Sequence, residues 1–429
     1  MERTLVEFRL RKGKTINLGP SPGDTPVIAR TVRKVGVMAR DYPGVIFDLR
    51  VREGDRVRRG QLLCVDRHRP EIGFVASVSG RVHQIRQGAR RRIEAIVVNV
   101  EGDEGLRFDV GAAAQNDGAL RNLLLKSGAW LGFRTRPFGR IPDPADRPSA
   151  IFITATDSNP LAPDPTHVLR PLLDSFRRGA QALSRLTDDP VFVCQAPGPS
   201  LIDPSETLQV VRFSGPHPSG LPGTHIHHLW PVSDQRSVWQ IGYQDVAAIG
   251  TLLSSGEATT TRTISVAGPG VERPALVRAP LGAELIDLLG EPRTDETLRV
   301  QRLVSGFSLT GTEARFLSRH DLQVTVFDRN ATPKHTRTAL WRMIGRLPLA
   351  VPGATQPSEA FERLFPFDLL PVPLMRALAV GDIETVERLG GLELLEEDLA
   401  LLTWRCPSGT DYGQLLRGVL DTLHQERAA

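Results

Sequence analysis

Residues 45–66 read V-I-F-D-L-R-V-R-E-G-D-R-V-R-R-G-Q-L-L-C-V-D, and residues 74–85 read F-V-A-S-V-S-G-R-V-H-Q-I. Residues 93–100 follow as I-E-A-I-V-V-N-V. Short alternating runs are broken at Glu53-Gly54-Asp55, Gly60, Ser79-Gly80 and Gly88. Glycine supplies positive φ, and Asp or Ser bonds its own backbone, so these breaks are turns. Val45, Phe47, Leu49 and Val51 alternate on one face, and Val57, Leu62 and Cys64 follow the first turn. A period of two predicts a stack of short, half-buried strands.

This pattern resembles the biotinyl/lipoyl-carrier sandwich, in which E-G-D-x-V-x-x-G-Q-x-L precedes an A-x-V-S-G-x-V hairpin. In carriers a lysine at the exposed hairpin tip receives the cofactor. The corresponding residues are Asp66-Arg67-His68-Arg69-Pro70, without a lysine. Arginine stays charged and is not acylated. The scaffold is expected without its swinging arm.

The 429 residues suffice for two to four domains. A hydrophobic content of 40% and a charged content of 24% are ordinary for a globular protein. No apolar run approaches the roughly 20 residues that span a bilayer. The charged opening is not expected to act as a secretory signal. Cys64, Cys194 and Cys406 are isolated, which speaks against a disulfide framework or a locally spaced metal site. Net charge is +4, carried almost wholly by arginine; Lys12, Lys14, Lys34, Lys126 and Lys334 are the lysines. The arginines do not interleave with aromatics, so nucleic acid is not expected as a partner. The excess suits an anionic surface or an acidic partner.

The expected class is multidomain α/β. Residues 1–110 form the sandwich unit, followed by a Gly/Ala linker at 111–116. Residues 118–256 alternate helix and strand: helices over 119–125, 167–186 and 244–255, strands over 150–155, 191–194 and 208–213. That alternation predicts a Rossmann-like sheet covered on both faces. Residues 261–328 are strand-rich with a helix over 283–289, the size of a β-grasp fold. Residues 337–429 are helical, with segments over 374–379, 383–389, 396–402 and 412–423.

Four places invite chemistry. Residues 126–140, K-S-G-A-W-L-G-F-R-T-R-P-F-G-R, combine Gly128, Gly132 and Gly139 with Arg134, Arg136 and Arg140. A phosphate cradle needs consecutive exposed N–H groups. Trp130, Leu131 and Phe133 crowd this one, and Pro137 lacks a donor, so a structural or interface loop is the stronger reading. His217, His225, His227 and His228 form a second cluster. His225 and His227 at i, i+2 suit one face of a strand, but Asp234 is the one close acid, and zinc wants more ligands. Asp157-Ser158-Asn159-Pro160 follows a buried strand, where ligand crevices form as often as ordinary turns. Cys406 in W-R-C-P-S-G has no His/Asp set in register and reads as packing. No self-contained active site, catalytic residue or metal site emerges.

Taken together, many segments resemble the A subunit of the sodium-translocating NADH:quinone reductase. They include D-Y-P-G (41–44), F-R-T-R-P-F (133–138), T-A-T-D-S-N-P-L-A-P-D-P (154–165) and H-P-S-G-L-P-G-T-H-I-H (217–227). V-W-Q-I-G-Y-Q-D-V-A-A-I-G (238–250), R-T-I-S-V-A-G-P-G-V-E-R-P (262–274) and L-E-L-L-E-E-D-L-A-L-L-T-W-R-C-P-S-G-T-D-Y-G (392–413) continue the match in order. The connection over 333–361 looks shorter than in the family. The resemblance implies a peripheral subunit of a six-subunit pump on the cytoplasmic side of the bacterial inner membrane. That pump oxidises NADH, reduces ubiquinone and exports Na⁺. The isolated chain is expected to be inactive.

The family is also similar to the flavin-binding subunit of complex I and to the C subunit of the Rnf complex. That kinship extends the expected folds to a complex I-like α/β unit and an SLBB-like third unit. Those relatives hold flavin on a G-x-G-G-A-G-F-P-T loop and Fe–S clusters on C-x-x-C-x-x-C. Here the aligned stretch is the bulky 128–137, and Cys406 stands alone where clusters need several thiolates. No cofactor is therefore expected on this chain; NADH, flavins and Fe–S centres would reside on other subunits. The resemblance places Met38, Asp41, Tyr42 and Pro43 near quinone. The alternative is an interaction or scaffold protein that derives from this subunit but acts outside the pump.

Overall fold

The computed structural model describes residues 6–290, 300–329 and 358–428. The turns at Gly54 (φ 89°) and Gly60 (φ 84°) fold residues 34–100 into two facing sheets. One has four strands in the order Lys34–Met38, Ile93–Val100, Gly80–Gln87, Arg56–Val57. The other has three: Phe47–Leu49, Leu62–Asp66 and Gly73–Val75. Phe47, Val57 and Cys64 lie inside as the alternation predicts, together with Leu63, Phe74, Val82 and Val98. Leu62 does not: it is 37% exposed, because the pairing register shifts between Leu62 and Cys64 and turns Leu63 inward instead. The tip that would carry a cofactor is docked, not free. Arg69 Nε donates to Asp66 (3.1 Å) and its Nη1 to the Ile141 carbonyl (3.0 Å).

The second unit is an open six-stranded sheet. Its order is Val6–Arg9, Leu208–Ser214, Val191–Gln195, Ile151–Ala155, Val238–Gly242, Phe133–Arg136. All neighbours are parallel except the last pair. The β-branched runs over 151–155 and 191–195 are buried on both faces, as parallel strands require. Helices Leu173–Leu183 and Tyr243–Ser255 pack together on the sheet.

Two short segments depart from the expected 1–110 boundary. Val6–Arg9 pairs with residues 211–214 as the edge of the second sheet, and Ile28–Ala29 pairs with residues 277–278 of the third. Neither open sheet edge could be read from a four- or two-residue strand by periodicity.

The third sheet runs Thr312–Glu313, Gln301–Ser305, Gln323–Asp328, Thr261–Ala267, Ala275–Pro280, Ile28–Ala29. Its central pair is parallel, and the expected helix over 283–289 shrinks to Leu285–Leu288. The last unit is helical. Pro371–Val380, Ala400–Arg405 and Tyr412–Ala428 enclose a core of Phe365, Leu374, Leu395, Leu402 and Tyr412. Most of the shortened 333–361 connection lies outside the described residues.

Candidate functional site

Strand Lys34–Met38 ends in a single 3-10 turn, Ala39–Asp41. The Tyr42 N–H closes that turn on the Ala39 carbonyl at 3.1 Å. This fixes three neighbouring side chains in one direction. Met38, Asp41 and Tyr42 all line a narrow cleft of about 70 Å³ where the first three units meet. Pro43 is half-buried and does not line it.

The walls are apolar and the far end is polar. Tyr42 is itself core: only 6% of it is exposed, and its ring stands edge-on to Phe74 at 4.8 Å. Leu131 adds an aliphatic wall from the second unit. At the polar end, Asp245 Oδ1 accepts from Arg262 Nη2 (2.5 Å) and from Arg319 Nη2 (2.7 Å). Burial pushes Asp245 upward, but the two guanidiniums outweigh it and hold the carboxyl below the usual range. Asp41 differs. Burial raises it, while the Arg319 backbone N–H, donating at 3.0 Å, and the Arg40 charge only partly offset that. The cleft thus presents one firmly ionised acid, one acid eased toward its neutral form, and two buried guanidiniums. Arg262 Nε is buried without a partner. An apolar wall with convergent polar groups at one end is the kind of lining small-molecule sites use, although at about 70 Å³ this cleft is narrower than such sites.

Asp245, Arg262 and Arg319 were not singled out by sequence reading. A signal existed: Asp245 interrupts an otherwise apolar helix, Q-D-V-A-A-I-G (244–250). The arginines come from another unit and become its partners only in three dimensions.

The remaining candidates resolve into structure. In residues 126–140 each arginine is committed to the helical unit. Arg134 reaches Glu397 (3.6 Å) and Arg140 reaches Asp421 (2.9 Å). Arg136, fully buried, pairs with Asp398 (2.5 Å) and Gln240 (3.0 Å). With its three arginines paired to carboxylates of the helical unit, the loop is an interface, not a phosphate cradle. Three of the histidines sit on helix Pro222–Leu229, which corrects the strand expected for His225 and His227. The cluster diverges. His225 Nε2 meets the Ser219 carbonyl (2.9 Å), His227 Nδ1 meets Glu393 (2.7 Å), and His217 Nδ1 meets Ser158 Oγ (3.2 Å). Burial pushes His225 down to about 3 and His217 down to about 4, so both rings are neutral. Among the described residues no group of three or more metal-ligating side chains is placed to hold an ion.

Residues 157–160 lie beyond the carboxyl end of Ile151–Ala155, where strand order reverses between its neighbours. The third unit lies against that crevice: Gln323 donates to the Pro160 carbonyl at 3.0 Å. Cys406 is buried beside Ser408 and Tyr412 in the helical core.

Fold and cleft together define a class: a carrier-type sandwich without its carrier lysine, joined to an open α/β sheet, a small mixed sheet and a helical unit. The NqrA N-terminal barrel-sandwich hybrid domain matches residues 8–101, and the NqrA second alpha/beta domain matches residues 115–258. Relatives along the whole length are named as the A subunit of the Na(+)-translocating NADH-quinone reductase. The one from Marinomonas sp. (strain MWYL1) is 37% identical, spanning 98% of this chain and 100% of its own. The one from Pseudomonas aeruginosa is 39% identical over the same shares. The chain belongs to this NqrA family, the A subunits of the Na(+)-translocating NADH-quinone reductase.

Proposed function

We propose that this chain is a peripheral subunit of a Na⁺-translocating NADH:ubiquinone reductase of six subunits, bound on the cytoplasmic side of the bacterial inner membrane. It carries no flavin, iron–sulfur centre or metal of its own. Its Rossmann-like, β-grasp and helical units offer docking surface to the other subunits, which hold the redox groups. Its cleft supplies part of the ubiquinone site. Among the described residues no helix is long and apolar enough to cross a membrane. The single observation that carries the quinone reading is the convergence of Met38, Asp41 and Tyr42 on one cleft ending in Arg262 and Arg319. With the cleft widened beyond its present volume of about 70 Å³, an apolar ring would pack against Met38 and Tyr42, and a guanidinium would donate to a quinone oxygen.

The full-length match over 98% of the chain favours work within the pump over a scaffold role outside it. Met38→Ala is the sharper test, because Tyr42→Ala also empties a packed ring at a cost of about 3–5 kcal/mol. In the assembled complex Met38→Ala should raise the apparent quinone KM about 5- to 30-fold, the loss of about 1–2 kcal/mol of apolar contact. Electron transfer from NADH to an artificial acceptor upstream should be spared. An unchanged quinone KM in a normally assembled complex removes quinone from this cleft.

A further inference from the structure

The four-stranded sheet of the sandwich has one face in the core. The other is open along the row Lys34, Asn99, Arg81 and Arg56, while Val97 and Ala95 farther along it are buried under the third unit, where Phe316 lies against Gly36. Register fixes what lies outward. Lys34 is opposite Asn99, Asn99 opposite Arg81, and Arg81 opposite Arg56. The adjacent row, Val35, Val98 and Val82, is buried, so the row of cations faces away from the core. Arg86 continues the outward face along Gly80–Gln87. The connection beyond carries Arg90, Arg91 and Arg92, all exposed, with Arg90 (φ 54°) and Arg91 (φ 58°) in the left-handed region.

This arrangement is costly for the isolated chain. Like charges directly opposite each other on a sheet repel, and non-glycine residues at positive φ are strained. The nearby acids Glu53, Asp55 and Glu94 form no ion pair with these cations among the described residues, and Asp55 accepts the Arg52 N–H at 2.8 Å. Glu53 is occupied with the Ile85 N–H (2.7 Å), and the Glu94 carboxylate lies against Gly88. Among the described residues none of Lys34, Arg56, Arg81, Arg86, Arg90 or Arg91 has a carboxylate within ion-pair distance. Lys34 instead sits 3.4 Å from His83.

A protein partner would be expected to anchor on an exposed aromatic or large aliphatic side chain. None of the exposed large hydrophobic residues lies on these four strands. What remains is a band of exposed point charges along Arg56, Arg81, Arg86 and the 90–92 connection, suited to a surface of phosphates. We infer that the outward face of this sheet and its arginine-rich connection seat the chain on the headgroups of an anionic phospholipid surface. The seat is electrostatic, with no side chain entering the acyl region.

The test uses the full chain and sedimentable vesicles, either of phosphatidylcholine alone or with phosphatidylglycerol added. At low ionic strength the chain should bind the phosphatidylglycerol vesicles and leave phosphatidylcholine unbound. High salt should release it, because screening shortens the reach of surface charge. Each basic side chain near such a surface contributes about a fivefold gain, so Arg81→Gln, Arg86→Gln and Arg91→Gln combined should weaken binding on the order of a hundredfold. The same number of neutralisations at Arg178, Arg273 and Arg278, exposed elsewhere, should change it less than about tenfold. Equal loss from both sets means net charge alone drives binding and overturns the site. Absence of binding to phosphatidylglycerol at low salt also overturns it, leaving an acidic protein as the partner for these cations. Melting temperatures of both variants establish that neither result reflects unfolding.

Discussion

Asp245 stands on an apolar helix where a carboxylate is tolerated only if it is paired. Burial penalises its charge, and two guanidiniums from a different unit more than compensate. Removing one partner of a buried ionic set leaves the others uncompensated, at about 3–5 kcal/mol. Asp245→Ala should therefore lower stability by that order in urea denaturation at pH 7, with Arg262 and Arg319 left unpaired. The pH dependence has a definite sign. The folded state holds this acid below its ordinary value of 3.8, so the unfolded chain binds the proton first. The stabilisation is complete above pH 3.8 and drains away as pH falls below it. The gap between parent and variant should narrow on acidification through that window. A gap that is already absent at pH 7 means the triad is worth nothing to the fold. Tyr42 teaches the complementary point. Turn chemistry made its position legible, but not that its ring would be core, because Phe47 and Phe74 reach it from the second sheet of the sandwich.

Helices Leu173–Leu183 and Tyr243–Ser255 touch backbone to backbone. A Cβ on Gly250 would lie 1.7 Å from the Ser175 carbonyl oxygen, and one on Gly179 would lie 2.0 Å from that of Val246. Two effects oppose each other in Gly250→Ala. Helix propensity favours alanine by about 1 kcal/mol. Overpacking against rigid backbone costs about 1–3 kcal/mol or more. At 1.7 Å packing wins, so the variant should lose stability in urea denaturation. A gain of about 1 kcal/mol would mean that the helices part freely. Element type was legible wherever pattern was strong. Ile151–Ala155 and Val191–Gln195 announce themselves by β-branched residues, and the sandwich strands by alternation between glycine turns. Phe133–Arg136 and Val238–Gly242 escaped, because Arg134, Arg136 and Gln240 give them no apolar period. Arg136 and Gln240 are buried at an interface with the helical unit, so tertiary pairing overrides what periodicity can register.

The units read as successive along the sequence are interleaved in space. Val6–Arg9 completes the second sheet, Ile28–Ala29 borders the third, and Arg136 of the second is locked into the helical unit. The candidate cleft follows from that interleaving. Its wall of Met38, Asp41 and Tyr42 was singled out only through the family resemblance, on one short segment of sequence. Its polar end was not, because Asp245, Arg262 and Arg319 meet only after the units assemble. The same packing bears on cofactors: bulky Trp130, Leu131 and Phe133 are buried where a flavin loop would need open glycine backbone. The natively expressed and purified chain should accordingly show no flavin absorbance and no stoichiometric iron or zinc. Bound flavin, or several iron atoms per chain, would refute that. The N-terminal edge strand also sets a timetable for synthesis. Val6 has its partner in Val211, and Ile28 has its partner in Val277. At about 5–20 residues per second, roughly 10–40 s separate the emergence of Val6 from that of Val211. The sandwich between them can close while the leading strand is still an unclaimed ribbon. That strand leaves the ribosome early and is used late, so its edge hydrogen bonds stay unpaired through most of translation.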